Sequence, residues 1–204
     1  MIAQVEAGSP HYDASWTYLI RAKARIGRDD ASGALADADR SLELARGITD
    51  PQILLPTLAA CAHIWCESGE SERASALADE FLAALKTRRR VASAMTALHV
   101  LAWTLAALRR GEELIGVLPK SDVPWVQAAA AFASGDLRRA ADICGLMGAA
   151  TEEARDRLWL AETLIEQGSR AEAEVELQRV LAFYRSVGAT RYIREAEGLL
   201  AASA

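Results

Sequence analysis

Residues 154–200 read ARDRLWLAETLIEQGSRAEAEVELQRVLAFYRSVGATRYIREAEGLL. Leu158, Ala161, Leu164 and Ile165 recur at the three-and-four spacing of one helix face. Gly168 then interrupts the pattern in a short polar turn, and Ser169-Arg-Ala-Glu172 has the form of a capping box. A second amphipathic stretch follows, with Ala173, Leu177 and Leu181 on one face. A small residue five positions past the glycine lets the second helix lie close against the first. The unit is a helix pair hinged at a glycine.

The same register recurs upstream. Gly135 is followed five residues later by Ala140, and Gly69 by Ala74. Gly27 and Ala34 repeat the theme two residues looser, and Gly111 marks a further turn. Between these glycines the intervals are near 42, 42, 24 and 33 residues. Periods of this length mark stacked helical pairs. Asp50-Pro51 reads as an N-cap before proline at the first helical position, and Thr151-Glu-Glu as a helix start with acid in its first turn. The pattern predicts helices over 14–26, 31–47, 51–67, 71–87, 91–109, 112–118, 123–133, 136–147, 151–167, 170–186 and 190–202. No stretch alternates with period two, so no sheet is expected.

Composition agrees. Of 204 residues, 51% are apolar, and Ala and Leu, both strong helix formers, dominate them. With 23 Lys plus Arg against 28 Asp plus Glu, the net charge is −5, which argues against a phosphate-tracking nucleic-acid binder. Three cysteines without C-x-x-C spacing suggest no disulfide framework and fit a reduced cytoplasm. The N-terminus lacks the basic and apolar regions of a secretory signal. Residues 91–108, VASAMTALHVLAWTLAAL, carry no charge between flanking arginines, but their Ala, Ser, Thr and His content favours a buried helix over a membrane span.

The helix–glycine–helix pattern resembles tetratricopeptide-type repeat arrays. Residues 154–200, with Tyr184-Arg-Ser-Val-Gly188-Ala189 and the final Leu199-Leu200, are similar to the end of the helical-repeat region of large bacterial regulators. These are signal-transduction ATPases, nucleotide-cyclase fusions and LuxR-family transcription activators. The resemblance implies an all-α, right-handed superhelix of antiparallel helix pairs. It would be one domain, 1–204, with pairs 14–47, 51–87, 91–118, 123–147 and 151–186 and a capping helix 190–202. It also implies a cytoplasmic protein-interaction or oligomerisation scaffold within a signalling protein. The alternative is an array that senses a small apolar effector in its concave groove. No G-x-x-x-x-G-K-[ST] phosphate loop, cyclase segment or helix-turn-helix is present, so the chain reads as a stand-alone array or a piece of a longer regulator.

Catalytic signatures are missing from the sequence: no G-x-S-x-G, no H-E-x-x-H and no Ser/His/Asp order occurs. No enzyme, metal or cofactor is expected. His63 lies near Cys61 and Cys66, but their spacing does not place all three on one helix face. The acid pairs 29–30, 112–113 and 152–153 read as helix-dipole partners, and the arginine clusters 88–90, 109–110 and 138–139 as helix-end charges. Trp16, Trp65, Trp103, Trp125 and Trp159 fall in first helices and read as inter-helix core. The tetratricopeptide resemblance maps a concave binding face onto Arg21, His63, Leu98, Leu101, Leu105, Leu108, Trp125 and Glu162, with Thr17 and Phe132 beside them. The leucines stand out because helix 91–108 is apolar all round. An open array would expose them as a strip for a protein partner or a second copy, unless the short unit at 112–135 covers them.

Overall fold

A computed structural model describes residues 13–48, 50–87 and 95–203. Among them are eleven helices and no strand: α1 (Ala14–Gly27), α2 (Ala31–Ile48), α3 (Pro51–Glu67), α4 (Ser71–Thr87), α5 (Met95–Ala107), α6 (Gly111–Ile115), α7 (Pro124–Ala133), α8 (Leu137–Leu146), α9 (Ala150–Glu166), α10 (Arg170–Val187) and α11 (Thr190–Ser203). Helices adjacent in sequence pack on one another, and α1, α3, α5 and α7 also pack in series. Residues 88–94 lie outside the described residues, and with them the 88–90 arginine cluster and the expected first turn of helix 91–109.

The repeat is sharper in the structure than in the spacing of glycines. Gly69, Gly135 and Gly168 adopt φ of +86°, +84° and +80°. In each turn the next residue donates its N–H five residues back: Glu70 to Trp65, Asp136 to Ala131 and Ser169 to Leu164, at 2.8–2.9 Å. The equivalent left-handed residues elsewhere are Asp29 (φ +70°) and Arg109 (φ +59°), not Gly27 and Gly111. Asp30 and Arg110 make the matching bonds, to Arg25 and Leu105. At 29, 69, 109, 135 and 168 the residue five further on is Ala34, Ala74, Leu114, Ala140 or Ala173, each at 0% exposure, whereas the same turn at Gly148 and Gly188, between pairs, is followed by the half-buried Glu153 and Ile193. The apparent looseness of the first unit came from reading the wrong residue as its hinge.

Gly111 has a different task. A Cβ there would stand 3.1 Å from the Ala133 carbonyl oxygen, so its absence lets α6 touch α7. Asp50 caps α3 through Gln52 N–H at 2.8 Å, as expected. The predicted capping box does not form, because Ser169 makes no side-chain cap bond.

Charged pairs tie successive units together. Arg46–Glu80, Arg73–Asp39 and Arg138–Glu172 each join second helices 34 residues apart, at 2.8, 2.5 and 2.9 Å. Arg110 joins α4 at Asp79 and also holds Glu113. The described arginines of the 109–110 and 138–139 clusters that reach acids are therefore spent on inter-helix ties.

The last helix returns to the first: α11 touches α1 and α9 as well as α10. The meeting is organised by Glu67, at the end of α3 with a side chain 7% exposed. Its carboxylate accepts from Arg155 of α9 and from the Tyr192 hydroxyl at 3.2 Å, and pairs with Arg191 at 3.1 Å. Arg191 also donates to the Glu67 carbonyl oxygen at 2.9 Å, and Arg194 reaches Asp29. Burial by itself would raise the Glu67 pKa. Arg155, His63, Arg191 and the Tyr192 hydroxyl outweigh it and hold the carboxyl below its ordinary value.

Replacing Glu67 by Ala strands the buried Arg155 guanidinium and removes the acceptor that anchors α11. The expected loss is about 3–5 kcal/mol, read as a lower midpoint in urea unfolding. An unchanged midpoint would show that the clasp adds nothing to stability.

Candidate functional site

An open hollow lies where the two ends meet. Its walls come from Lys23 and Ile26 of α1, Ala60, His63 and Ile64 of α3, Val100 and Trp103 of α5, the first turns of α9, Tyr184 of α10 and Tyr192 of α11. Three adjoining chambers of about 100, 360 and 180 Å³ make it up, and Lys23 and Glu152 line all three. The inner chamber is mostly apolar wall. The outer one opens past Arg28, Phe183 and Val187, and the third reaches Trp16 and Ile20.

Local structure explains who points inward. Lys23 and Ile26 lie three apart on one face of α1, with Gly27 beside Tyr192, where an added Cβ would already be in van der Waals contact at 3.6 Å. Thr151 and Glu152 belong to the first turn of α9, whose N-cap, Ala149, has no side chain to cap it. Neither Lys23 nor Glu152 makes a hydrogen bond or ion pair among the described residues. They attract each other across the hollow without closing to an ion pair.

Lys23 is exposed at the hollow, with protein crowded around its concave side. That crowding lowers its pKa, with Glu152 and Cys61 working in the opposite direction. Burial also depresses His63, to about 4, helped by Arg155, Lys23 and Arg191 and opposed by Glu67. At neutral pH the imidazole is therefore uncharged, packed 5.2 Å from the Trp103 ring centroid. Tyr184 and Tyr192 stack at 4.9 Å, and the Arg155 guanidinium lies 5.0 Å over the Tyr192 ring. Two Arg155 nitrogens, Nε and Nη1, are buried without a hydrogen bond.

A second polar cluster lies deeper. Asp156 of α9 accepts from Trp103 Nε1 at 2.7 Å, His99 Nε2 at 2.9 and 3.0 Å, and the Cys144 thiol at 3.6 Å. His99, Cys144 and Asp156 are each at 0% exposure. Three potential metal ligands converge here, but the carboxylate already accepts from three donor groups, two of them the other would-be ligands. The group is also unlike a nucleophilic triad. There the imidazole is bonded by the nucleophile at one nitrogen and the acid at the other. Here Cys144 and Asp156 both meet Nε2, and Nδ1 has no partner. Burial and Asp156 push the thiol well above its ordinary pKa. The cluster joins α5, α8 and α9, and its chemistry is that of a structural network.

Of the residues expected on the binding face, only His63 lines the hollow. Leu98, Leu101 and Leu105 are 0–2% exposed, and every residue from Ala97 to Leu105 is buried. The apolar strip is covered within the chain. Because α6 is a single short turn, α7 lies directly across α5, and α3 covers another side. Phe132 is buried there with its ring 5.7 Å from His99, and Trp125 is half-buried. Leu108 packs half-buried on the same core. Arg21 forks onto Asp37 at 2.6 and 2.7 Å, tying α1 to α2. Thr17 donates to Asp13 in its own helix. Glu162 sits beside Glu195, where burial and that neighbour raise its pKa to about 7. Of the tryptophans, Trp65 and Trp103 are core, whereas Trp16 is 38% exposed. The residues missed were Lys23, Trp103, Glu152, Arg155, Tyr184 and Tyr192. In the sequence Trp103 reads as core and Glu152 as a helix-dipole partner, Arg155, Tyr184 and Tyr192 fall in the C-terminal segment 154–200, and Lys23 carries no signal.

Two measurements test these assignments. Asp156→Ala leaves the Trp103 and His99 N–H groups without an acceptor and is expected to cost about 3–5 kcal/mol in unfolding free energy. Glu162, with its folded pKa raised, favours the native state at low pH and loses that advantage as pH rises from about 4.5 through about 7. Glu162→Gln should therefore raise the melting temperature at pH 8 by about 2–4 °C and leave it nearly unchanged at pH 4. Equal shifts at both pH values would refute the assignment. No family model and no curated protein matches the chain.

Proposed function

We propose that the chain is a helical-repeat sensor module that binds a small effector in the hollow between its ends. The observation that carries this is the pair Lys23 and Glu152, two opposite charges that line the same open hollow, exposed and half-buried respectively, and whose side chains form no ion pair or hydrogen bond among the described residues. The surrounding protein disfavours the Lys23 ammonium, and an anionic ligand group beside it would offset that. The walls supply apolar area for the body of a ligand, and the clasp at Glu67 lies next to the chamber, so occupancy and closure of α11 are coupled.

The array itself is proposed to be a right-handed superhelix of tetratricopeptide type. Supporting it are the left-handed turn with a buried residue five positions on, alanine in four of the five units and Leu114 in the other, and the serial packing of α1, α3, α5 and α7. A cytoplasmic place in a bacterial signalling or transcription regulator is proposed from the sequence resemblance. No helix of the described residues is long and apolar enough to cross a membrane. The interaction-scaffold reading rested on the leucine strip of α5. With that strip inside the chain, the hollow carries the function.

A thermal-shift screen of small metabolites on the full chain tests the proposal. A true effector raises the melting temperature in proportion to RT ln(1 + [L]/Kd). Thr151 lines the hollow and is exposed, so Thr151→Trp fills the chamber without entering the core and should abolish the shift. A silent broad screen, or a shift unaffected by Thr151→Trp, would overturn it.

A further inference from the structure

We infer that the effector is a zwitterion: a free α-amino acid with an aromatic or branched apolar side chain. This rests on the hollow being a binding site, and it adds what kind of molecule fits.

Elsewhere in the chain, neighbouring acids and bases close into direct pairs: Arg21–Asp37 at 2.6 Å, Arg110–Asp79 at 2.5 Å and Arg157–Glu176 at 2.9 Å. Lys23 and Glu152 are the exception at the hollow. They interact across it, stay unpaired, and both border every chamber. A ligand with one negative charge would satisfy Lys23 and leave Glu152 facing it. A ligand with one positive charge would do the reverse. A molecule that carries both signs engages both groups at once.

His63 is uncharged at neutral pH, and Arg155 is ion-paired with Glu67 and Glu195, although its Nε and Nη1 make no hydrogen bond and could add to the donors for a ligand carboxylate. Arg28 borders only the outer chamber. The ligand carboxylate has a further source of donors besides Lys23. The first N–H groups of α9 lack a side-chain cap, and Thr151 and Glu152 put that turn in the wall. The ammonium is left for Glu152. Ile26, Ile64, Val100, Trp103, Tyr184 and Tyr192 form the wall against which an apolar side chain packs.

Calorimetric titration of the full chain with phenylalanine and leucine tests this, beside two single-charge analogues. These are 3-phenylpropionate, which lacks the ammonium, and phenethylamine, which lacks the carboxylate. The amino acid is expected to bind at least about tenfold tighter than either analogue, and Lys23→Met and Glu152→Gln should each weaken it by about tenfold or more. The signature of the assignment is crossed. Lys23→Met should leave phenethylamine binding unchanged or improved, and Glu152→Gln should do the same for 3-phenylpropionate. Neither side chain holds the fold through a partner, so both variants should melt near the wild type. An analogue that binds as tightly as the amino acid, or no binding by either amino acid, overturns the zwitterion assignment. If a molecule of another class is then found whose stabilisation Thr151→Trp removes, the hollow stands as a site and only the ligand class falls.

Discussion

A buried carboxylate must find donors, and Glu67 finds them at the opposite end of the chain. Arg155, Arg191 and Tyr192 converge on it from α9 and α11, more than eighty residues away in sequence. Everything particular about the molecule follows from that demand. Were α11 to stop short of α3, Glu67 and Arg155 would both be stranded. The hollow would also lose its Tyr192 wall. The clasp and the hollow are one construction, because the side chains that close the ends also form its walls.

Most of the remaining packing is generic. The contacts between paired helices are built on alanine and leucine, which permit close approach but do not discriminate strongly between one register and the next. Discrimination is supplied by polar groups with few ways to be satisfied. Asp156 collects donors from α5 and α8, and Glu176, at 2% exposure, holds Arg157 and Arg138 between α8, α9 and α10. The exposed arginine–acid pairs 34 residues apart repeat the same instruction more weakly along the outer helices.

Local chemistry was legible in the sequence and long-range chemistry was not. Helices 51–67 and 71–87 coincide with α3 and α4, since Asp50-Pro51 and the left-handed glycine at 69 mark their ends unambiguously. The hinges at Asp29 and Arg109 were obscured because non-glycine residues take the left-handed conformation there, while Gly27 and Gly111 stand nearby for other reasons. The all-round apolar character of 91–108 correctly marked a helix needing cover, and α5 is buried from Ala97 to Leu105. Its expected use as a strip failed because the short α6 brings α7 across it. The hollow could not be read at all. Lys23, Trp103, Glu152, Arg155, Tyr184 and Tyr192 share no spacing, and only the return of α11 to α1 brings them together.

That return also sets an order in time. Contacts between consecutive helices are local, so each pair can form with little loop entropy to overcome. The pairing of Arg194 with Asp29 spans 165 residues and has no partial version. Folding is therefore expected to proceed unit by unit and to close last, with the hollow acquiring its final wall in the closing step. The same order run backwards makes α11 the gate through which any occupant leaves. The lifetime of a complex would then be set by how often the Glu67 clasp opens, more than by how tightly the chamber fits.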